Sequence, residues 1–409
     1  MAFTFPGQGS QRPGMGRPWL EHPSWEIVRD ASEAVGRDLA WLLCEADAPE
    51  LTQTRHAQLA TFSLSLVVLD AVERLGLAPS ICAGHSLGEY SALVASGAVG
   101  FEEGARLVAE RGEAMQDAAD ASPGRMVALL GISDDDAEVA CQRAESDVLV
   151  ANYNAPGQVV IAGTDEGVEA ASALARELGA RKIMALQVSG AFHTPLIVSA
   201  RRRLRKALAE VSFSDPEVPV VSNVDARFHG SAKDWPGLLS AQLCSPVRWR
   251  QTLELLGAEA PTAVLVEVGA SGVLTGLARR CLPGSRAISV STPADLDHLV
   301  ESLAGPGPLH TYAAVHQGEN LYVSERVVVS PAGGVFEPKP ELAALPMEAE
   351  PLPSGAQRLS VGELVGVVGD VEVRSPFAGS LMGLLAHSGE RVTDGQPLAW
   401  LRTAAGDGS

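Results

Sequence analysis

Residues 81–95 read ICAGHSLGEYSALVA: an apolar run, a serine with a glycine two residues away on either side, and a second apolar run. Glycines at that spacing suit a turn too tight for side chains, which lifts the Ser86 hydroxyl clear of the backbone. The run before Ser86 reads as a buried strand and the one after it as a helix. The chain therefore has to build an α/β layer with Ser86 at a strand-to-helix turn.

The rest of the first 300 residues continues that alternation. MAFTFPG (1–7) reads as a strand ending in a glycine turn, and residues 57–76 carry apolar positions at helical spacing up to Gly76. Between 125 and 190 the texture changes. RMVALLGI, VLVANYN, QVVIAG and KIMALQVS are short β-like runs, interleaved with the helical stretches DDDAEVACQRAE and DEGVEAASALARELG. Strand, helix, strand, strand, helix, strand is the order of a small ferredoxin-like subdomain. The larger α/β unit resumes with a helix over 194–211, strands in VPVVSN (218–223) and AVLVEVG (263–269), and a last helix near ADLDHLVESLAG. The expected architecture of 1–300 is a hydrolase-like parallel sheet carrying the insert at 125–190.

From about Gly305 the composition turns to proline and glycine, in GPGPLH and EPKPELAALPMEAEPLPSG, as in linkers or loops. An internal repeat follows. VVVSPAGGVFEP with LSVGELVGVVG answers to VEVRSPFAGSLMGLL with RVTDGQPLAWLR, and the halves meet at Gly369-Asp370. This predicts a two-fold all-β sandwich over 326–402, after a linker at 301–325 and before a flexible tail at 403–409.

With 409 residues, 46% of them apolar, the chain can bury a sizeable core. Its formal charge of −19 argues against nucleic acid as a generic partner. Five cysteines without CxxC spacing fit free thiols in a reducing compartment and no metal site. No basic-then-apolar leader opens the sequence and no apolar run is long enough for a membrane span, so a cytoplasmic location is expected.

A serine hydroxyl is a poor nucleophile until a base takes its proton, and the oxyanion it forms needs N–H donors. The turn itself offers the backbone N–H of Leu87. His193, in VSGAFHTPL, stands where a strand gives way to a helix, at a plausible cleft rim, and is the candidate base. The His85 side chain is expected to point away from the nucleophile. Arg111 shares a helical stretch with Glu102, Glu103, Arg106 and Glu110, so an ordinary surface ion pair is the simplest reading of it from residue type.

Seven blocks occur in order over residues 1–300: FPGQGSQ (5–11), GHSLGEYSAL (84–93), ERGEAMQ (110–116), NAPGQVVIAG (154–163), GAFH (190–193), QLCSPVRW (242–249) and EVGASGVLTGL (267–277). In these the chain resembles the malonyl-CoA:acyl carrier protein transacylase family, including acyltransferase domains of polyketide synthases. The resemblance implies a ping-pong transfer of a malonyl group from malonyl-CoA to an acyl carrier protein, in fatty-acid or polyketide biosynthesis. It makes Ser86 the nucleophile and His193 the base. The carbonyl near Gln242 orients the imidazole, and the N–H groups of Gln8 and Leu87 form the oxyanion hole. Arg111 holds the substrate carboxylate, which a planar, always-charged guanidinium suits. Gln58 lines the same pocket, Gln242 is placed with it among the substrate-binding residues, and the bulk of Phe192 favours malonyl over methylmalonyl. No metal and no cofactor beyond the CoA thioester substrate is implied.

The basic run RRRLRK (201–206) reads as a solvated helix face or as a surface that steers an acidic carrier. Residues 326–402 resemble the biotinyl/lipoyl carrier fold. The hairpin tip VVGDVEV has no lysine and Lys339 is the only one in the module, so neither biotin nor lipoate is expected to be attached. Other synthase components are candidate partners for this module. Two further readings remain for the whole chain: an acyl hydrolase or editing acyltransferase, and a non-catalytic scaffold that binds carriers.

Overall fold

Strand β1 (Ala2–Phe5) is buried at every position, as a strand covered on both faces should be. The computed structural model that contains it describes residues 1–188, 190–304, 318–322, 325–340, 342, 358–377 and 379–402. They form two units, 1–300 and 301–409.

In the first unit, β1 is followed by α1 (Glu26–Val35), α2 (Leu39–Cys44), α3 (Ala48–Thr52) and the 20-residue α4 (Thr54–Glu73). Helix α4 is buried almost all round and so runs through the core, not along the surface. β2 (Ile81–Gly84) leads through the Ser86 turn into α5 (Gly88–Ala95), and then comes α6 (Phe101–Ala121).

The insert has β3 (Arg125–Leu130), α7 (Asp134–Arg143), β4 (Val148–Ala155), β5 (Gln158–Gly163), α8 (Asp165–Glu177) and β6 (Lys182–Ala185). Its antiparallel sheet runs β4-β5-β3-β6, the split β-α-β arrangement, over its own core of Leu129, Val159, Ile161 and Ala171. Both of its helices start on a hydroxyl cap: Ser133 accepts from the Asp136 N–H and Thr164 from the Gly167 N–H.

The chain then returns through α9 (Val198–Leu208), β7 (Val220–Val221), β8 (Phe228–His229), α10 (Trp235–Gln242), α11 (Trp249–Glu259), β9 (Leu265–Val268), α12 (Val273–Cys281), β10 (Ala287–Val290) and α13 (Pro293–Ala304). The large sheet has the order β10-β9-β1-β2-β7-β8, parallel except at β8. β1 and β2 lie side by side near its middle, so the loops at their carboxyl ends open next to each other. Open α/β sheets bind ligands at that place. The small subdomain is tied to this edge. Val247, just before α11, exchanges backbone hydrogen bonds with β4, accepting from Tyr153 and donating to Ala151, both at 2.9 Å.

The second unit contains β11 (Gly318–Tyr322), β12 (Glu325–Val329), β13 (Gly334–Pro338), β14 (Arg358–Leu359), β15 (Leu364–Val368), β16 (Val371–Arg374), β17 (Gly379–Leu384), β18 (Glu390–Val392) and β19 (Pro397–Arg402). They form two antiparallel sheets, β11-β12-β19-β17-β14 and β16-β15-β13-β18, around Phe336, Val365, Leu381 and Leu401. The sequence repeat reappears as matched geometry. Ser330 donates to Gln396 O and accepts from Gly395, while Ser375 donates to Glu363 O and accepts from Gly362. The Ser330 and Ser375 hydroxyls each bond the carbonyl two residues on. β15 and β16 meet across the turn Gly369-Asp370.

One boundary needs correction. Residues 318–322, read as linker, are β11, paired with β12; glycine and isolated polar residues hid a strand that sheet pairing supports. Most of the remaining linker and the tail at 403–409 lie outside the described residues.

Candidate active site

Ser86 sits between β2 and α5 with a φ of 52°, a left-handed conformation that costs any residue with a Cβ. The flanking glycine Gly84 is a packing requirement. A Cβ at Gly84 would lie 1.9 Å from the Gly88 carbonyl, so strand and helix could not approach closely enough to form the turn. His193 also has a left-handed backbone, φ 62°, and is followed by a short 3₁₀ turn, Pro195–Ile197. Both strained residues meet: the Ser86 Oγ–H faces His193 Nε2 at 2.8 Å. His193 Nδ1–H in turn donates to the Gln242 main-chain carbonyl at 2.9 Å. That bond fixes the tautomer and leaves Nε2 as the acceptor.

His193 is buried, below a cleft rather than at its rim. Burial first, and then the nearby Arg111 guanidinium, lower its pKa to about 3, so the imidazole is neutral and able to take a proton. His85 turns away from Ser86, its Nε2 2.9 Å from Asn154 Oδ1.

Arg111 is not a surface ion-pair residue. It lies mid-α6, only 1% exposed, with its guanidinium over the Tyr90 ring. Its Nη1 donates to Gln58 Oε1 at 2.7 Å, and its Nη2 to Gln242 Oε1 at 2.9 Å and to Ser86 Oγ at 3.1 Å. Every one of those acceptors is neutral, and among the described residues its Nε–H has no acceptor. Burial lowers its pKa from the usual arginine value.

A cleft of about 240 Å³ opens above these groups, lined by Gln8, His85, Ser86, Met115, Phe192 and His193, with Val273, Leu274 and Leu277 of α12 among its apolar walls. Among the described residues neither the Gln8 nor the Leu87 backbone N–H donates to a protein acceptor, as an oxyanion site requires. Two expectations change. Gln58 does not line the cleft: it is fully buried, and its amide spans Arg111 and Met115 Sδ. Gln242 likewise sits beneath the cleft, and besides bonding His193 and Arg111 it donates from Nε2 to Ser86 O at 2.8 Å. Both bond Arg111 from beneath, Gln242 also bonding Ser86 and His193, and neither lines the cleft.

Two residues escaped notice in the sequence. Glu89, inside GHSLGEY, is 0% exposed and accepts from the Asn223 N–H at 2.9 Å and from Gln242 Nε2. Burial pushes its carboxyl up to about 7, against the pull of those donors. Asn223, at the end of VPVVSN, accepts from the Ser86 N–H at 2.6 Å. An acid directly after the second glycine of the turn, at the head of an apolar run, was the available signal for Glu89, and nothing in the local sequence marked Asn223. Among the described residues no group of acidic, histidine and cysteine side chains could hold a metal, the five cysteines are free, and no helix is long and apolar enough to cross a membrane.

Residues 2–294 match the family model of the acyl transferase domain. The chain is 40% identical over 308 residues to the malonyl CoA-acyl carrier protein transacylase of Bacillus subtilis, a match covering 74% of this chain and 97% of the relative. It is similar in structure to an acyl carrier protein S-malonyltransferase from Vibrio cholerae, with TM-score 0.70, 39% identity, and 73% and 99% of the two chains covered. A second solved structure, a type II PKS acyl-carrier protein in complex with its malonyl-transacylase, matches with TM-score 0.71 at 37% identity, covering 74% and 99%.

Proposed function

The chain belongs to the acyl transferase domain family, and from that premise we infer that it transfers a malonyl group from malonyl-CoA to the phosphopantetheine thiol of an acyl carrier protein, in fatty-acid or polyketide assembly. Arg111 carries this reading. Among the described residues this buried guanidinium makes hydrogen bonds only to neutral oxygens, the Glu89 carboxyl acting on it from beyond Gln242, so it gains strongly from a carboxylate bonded directly to it. Its Nη2 lies one hydrogen bond from the nucleophile, so an acyl group with a terminal carboxylate is the substrate class that suits the site.

In the first half-reaction His193 Nε2 takes the Ser86 proton as Oγ attacks the thioester carbonyl. The N–H groups of Leu87 and Gln8 receive the oxyanion, and CoA leaves as its thiol with the proton that His193 returns. In the second half-reaction the carrier's thiol gives its proton to His193 and attacks the seryl ester, and Ser86 recovers its hydrogen. Phe192 restricts the cleft beside the base and favours malonyl over methylmalonyl, a steric preference worth about 1–3 kcal/mol.

For residues 326–402 the reading is a biotinyl/lipoyl-like module that carries neither group. Its hairpin turn offers Asp370 where an attachment lysine would stand, and the Lys339 ammonium lies 3.8 Å from Glu363. Intact-mass spectrometry tests both parts of the proposal at once. The isolated chain is expected at its unmodified mass. After malonyl-CoA it should gain one malonyl group, localised to Ser86 and discharged by holo-carrier. Loss of label to water would indicate a hydrolase, absence of label a scaffold, and a biotinyl or lipoyl increment an active carrier module.

Helix α9 begins five residues after His193 and exposes Arg202, Arg205 and Lys206, while Arg203 is occupied with Glu110 and Asp117 of α6. Three cations without an ion-pair partner among the described residues suit an acidic carrier. Reversing all three to glutamate is expected to raise KM for the carrier by about tenfold at low ionic strength, less at 0.5 M salt, with KM for malonyl-CoA unchanged. Salt-independent carrier kinetics in the variant would leave α9 as a solvated face.

A further inference from the structure

Glu89 and Asn223 take part in no step of the transfer, yet each group that does is tied to them. Asn223, fully buried behind β7, accepts the Ser86 N–H on Oδ1 and donates from Nδ2 to the Gly84 carbonyl, both at 2.6 Å. Gln242 Nε2 holds the Ser86 carbonyl at 2.8 Å. Both peptide groups of the left-handed nucleophile are thus gripped by amide side chains from outside the turn.

One carboxylate holds both of those residues. Glu89 Oε1 accepts the Asn223 main-chain N–H at 2.9 Å, and Oε2 accepts from Gln242 Nε2. An amide presents a donor at one end and an acceptor at the other, and either end fits the same space. With its Nε2 committed to Glu89, Gln242 has to aim Oε1 at Arg111, as it does at 2.9 Å. The same residue's carbonyl fixes His193. Ionised, Glu89 accepts at both oxygens, as both of its bonds require, and it is in that state that it imposes this polarity.

We propose that Glu89 and Asn223 are the positioning pair of this site: they keep the Ser86 backbone in its left-handed conformation and orient Gln242, so that nucleophile, base and guanidinium stay aligned. The proposal rests on the reading of Ser86 and His193 as nucleophile and base. Neither residue touches substrate, so the effect falls on the reactivity of Ser86 and on kcat and leaves malonyl-CoA binding nearly intact.

Glu89→Gln tests this, because it keeps shape but sets an NH₂ group against one of the two donors. The readouts are the rate at which a small fluorophosphonate modifies Ser86, and the steady-state constants for malonyl-CoA. Both the modification rate and kcat are expected to fall by about 10- to 100-fold, with KM within about threefold of the parent chain. Glu89→Asp, which retains two acceptor oxygens, should recover part of the loss. If Glu89→Gln does not fold, Asn223→Ser removes the grip on the Ser86 N–H and should show the same split. A parent-like modification rate and kcat in the variants, or a loss confined to KM or to thermal stability, would overturn the positioning role and leave the transferase reading standing. Equal fluorophosphonate labelling of the parent chain and Ser86→Ala would instead remove the premise.

Discussion

Replacing Ser86 with alanine is expected to abolish malonyl transfer, lowering kcat by on the order of 10⁴-fold or more. The loss is chemical, not structural. Alanine meets the same penalty as serine at a φ of 52°, and only the contacts of Oγ with His193 and Arg111 disappear. The variant should therefore melt close to the parent and still bind malonyl-CoA, while intact-mass spectrometry finds no acyl adduct. His193→Ala should be nearly as slow, because among the described residues a neutral imidazole 2.8 Å from Oγ is the only base with a hydrogen bond to it. Groups that act as a unit are non-additive, so the double variant should be little worse than either single one. A persistent covalent malonyl adduct in Ser86→Ala would show that the ester forms elsewhere.

Replacing Arg111 with alanine is expected to cost about 10²- to 10³-fold in kcat/KM for malonyl-CoA, the range for truncating one partner of a buried, hydrogen-bonded charge pair. Acetyl-CoA, which has no carboxylate, should lose far less, so the preference between the two thioesters collapses. Lysine should not rescue, since a single ammonium cannot bond Gln58, Gln242 and Ser86 from one fork.

A second signature follows from charge. Burial is the larger cause of the low pKa of His193 and the Arg111 guanidinium is the next. Without that cation the imidazolium is easier to form, so the acid limb of acetyl transfer should move to higher pH in Arg111→Ala. In the parent the base remains unprotonated well below neutral pH. The reverse movement, or an unchanged malonyl-to-acetyl ratio, would show that Arg111 is not the carboxylate partner. By the same electrostatics a malonyl carboxylate seated on Arg111 offsets that charge and makes His193 a better base when the right substrate is present.

Much of this was legible in the residues because it is local. The glycine-flanked Ser86 specified its turn: only glycine at 84 lets β2 and α5 close on each other. The repeat around Ser330 and Ser375 specified two alike β halves, since each serine makes its bonds within its own motif and the facing loop. Strand and helix order within 125–190 followed from periodicity alone. Short edge elements were not legible. β8 has two residues, β10 only four, and β11 no hydrophobic alternation, and strands of that kind exist because a neighbour pairs with them.

By itself the sequence determined which chemical groups are available, a serine raised on a turn and a set of motifs in family order, because turn chemistry and side-chain identity need only a few neighbouring residues. Tertiary structure alone decided what those groups do to each other. It carried Arg111 from an apparently charged helix face into the interior, moved Gln58 and Gln242 from substrate contacts to supports, and set Glu89 and Asn223 behind the nucleophile. Hydrogen bonds and desolvation act over a few ångströms of space, and residues 86, 111, 193, 223 and 242 become neighbours only once the sheet and its insert have closed around them.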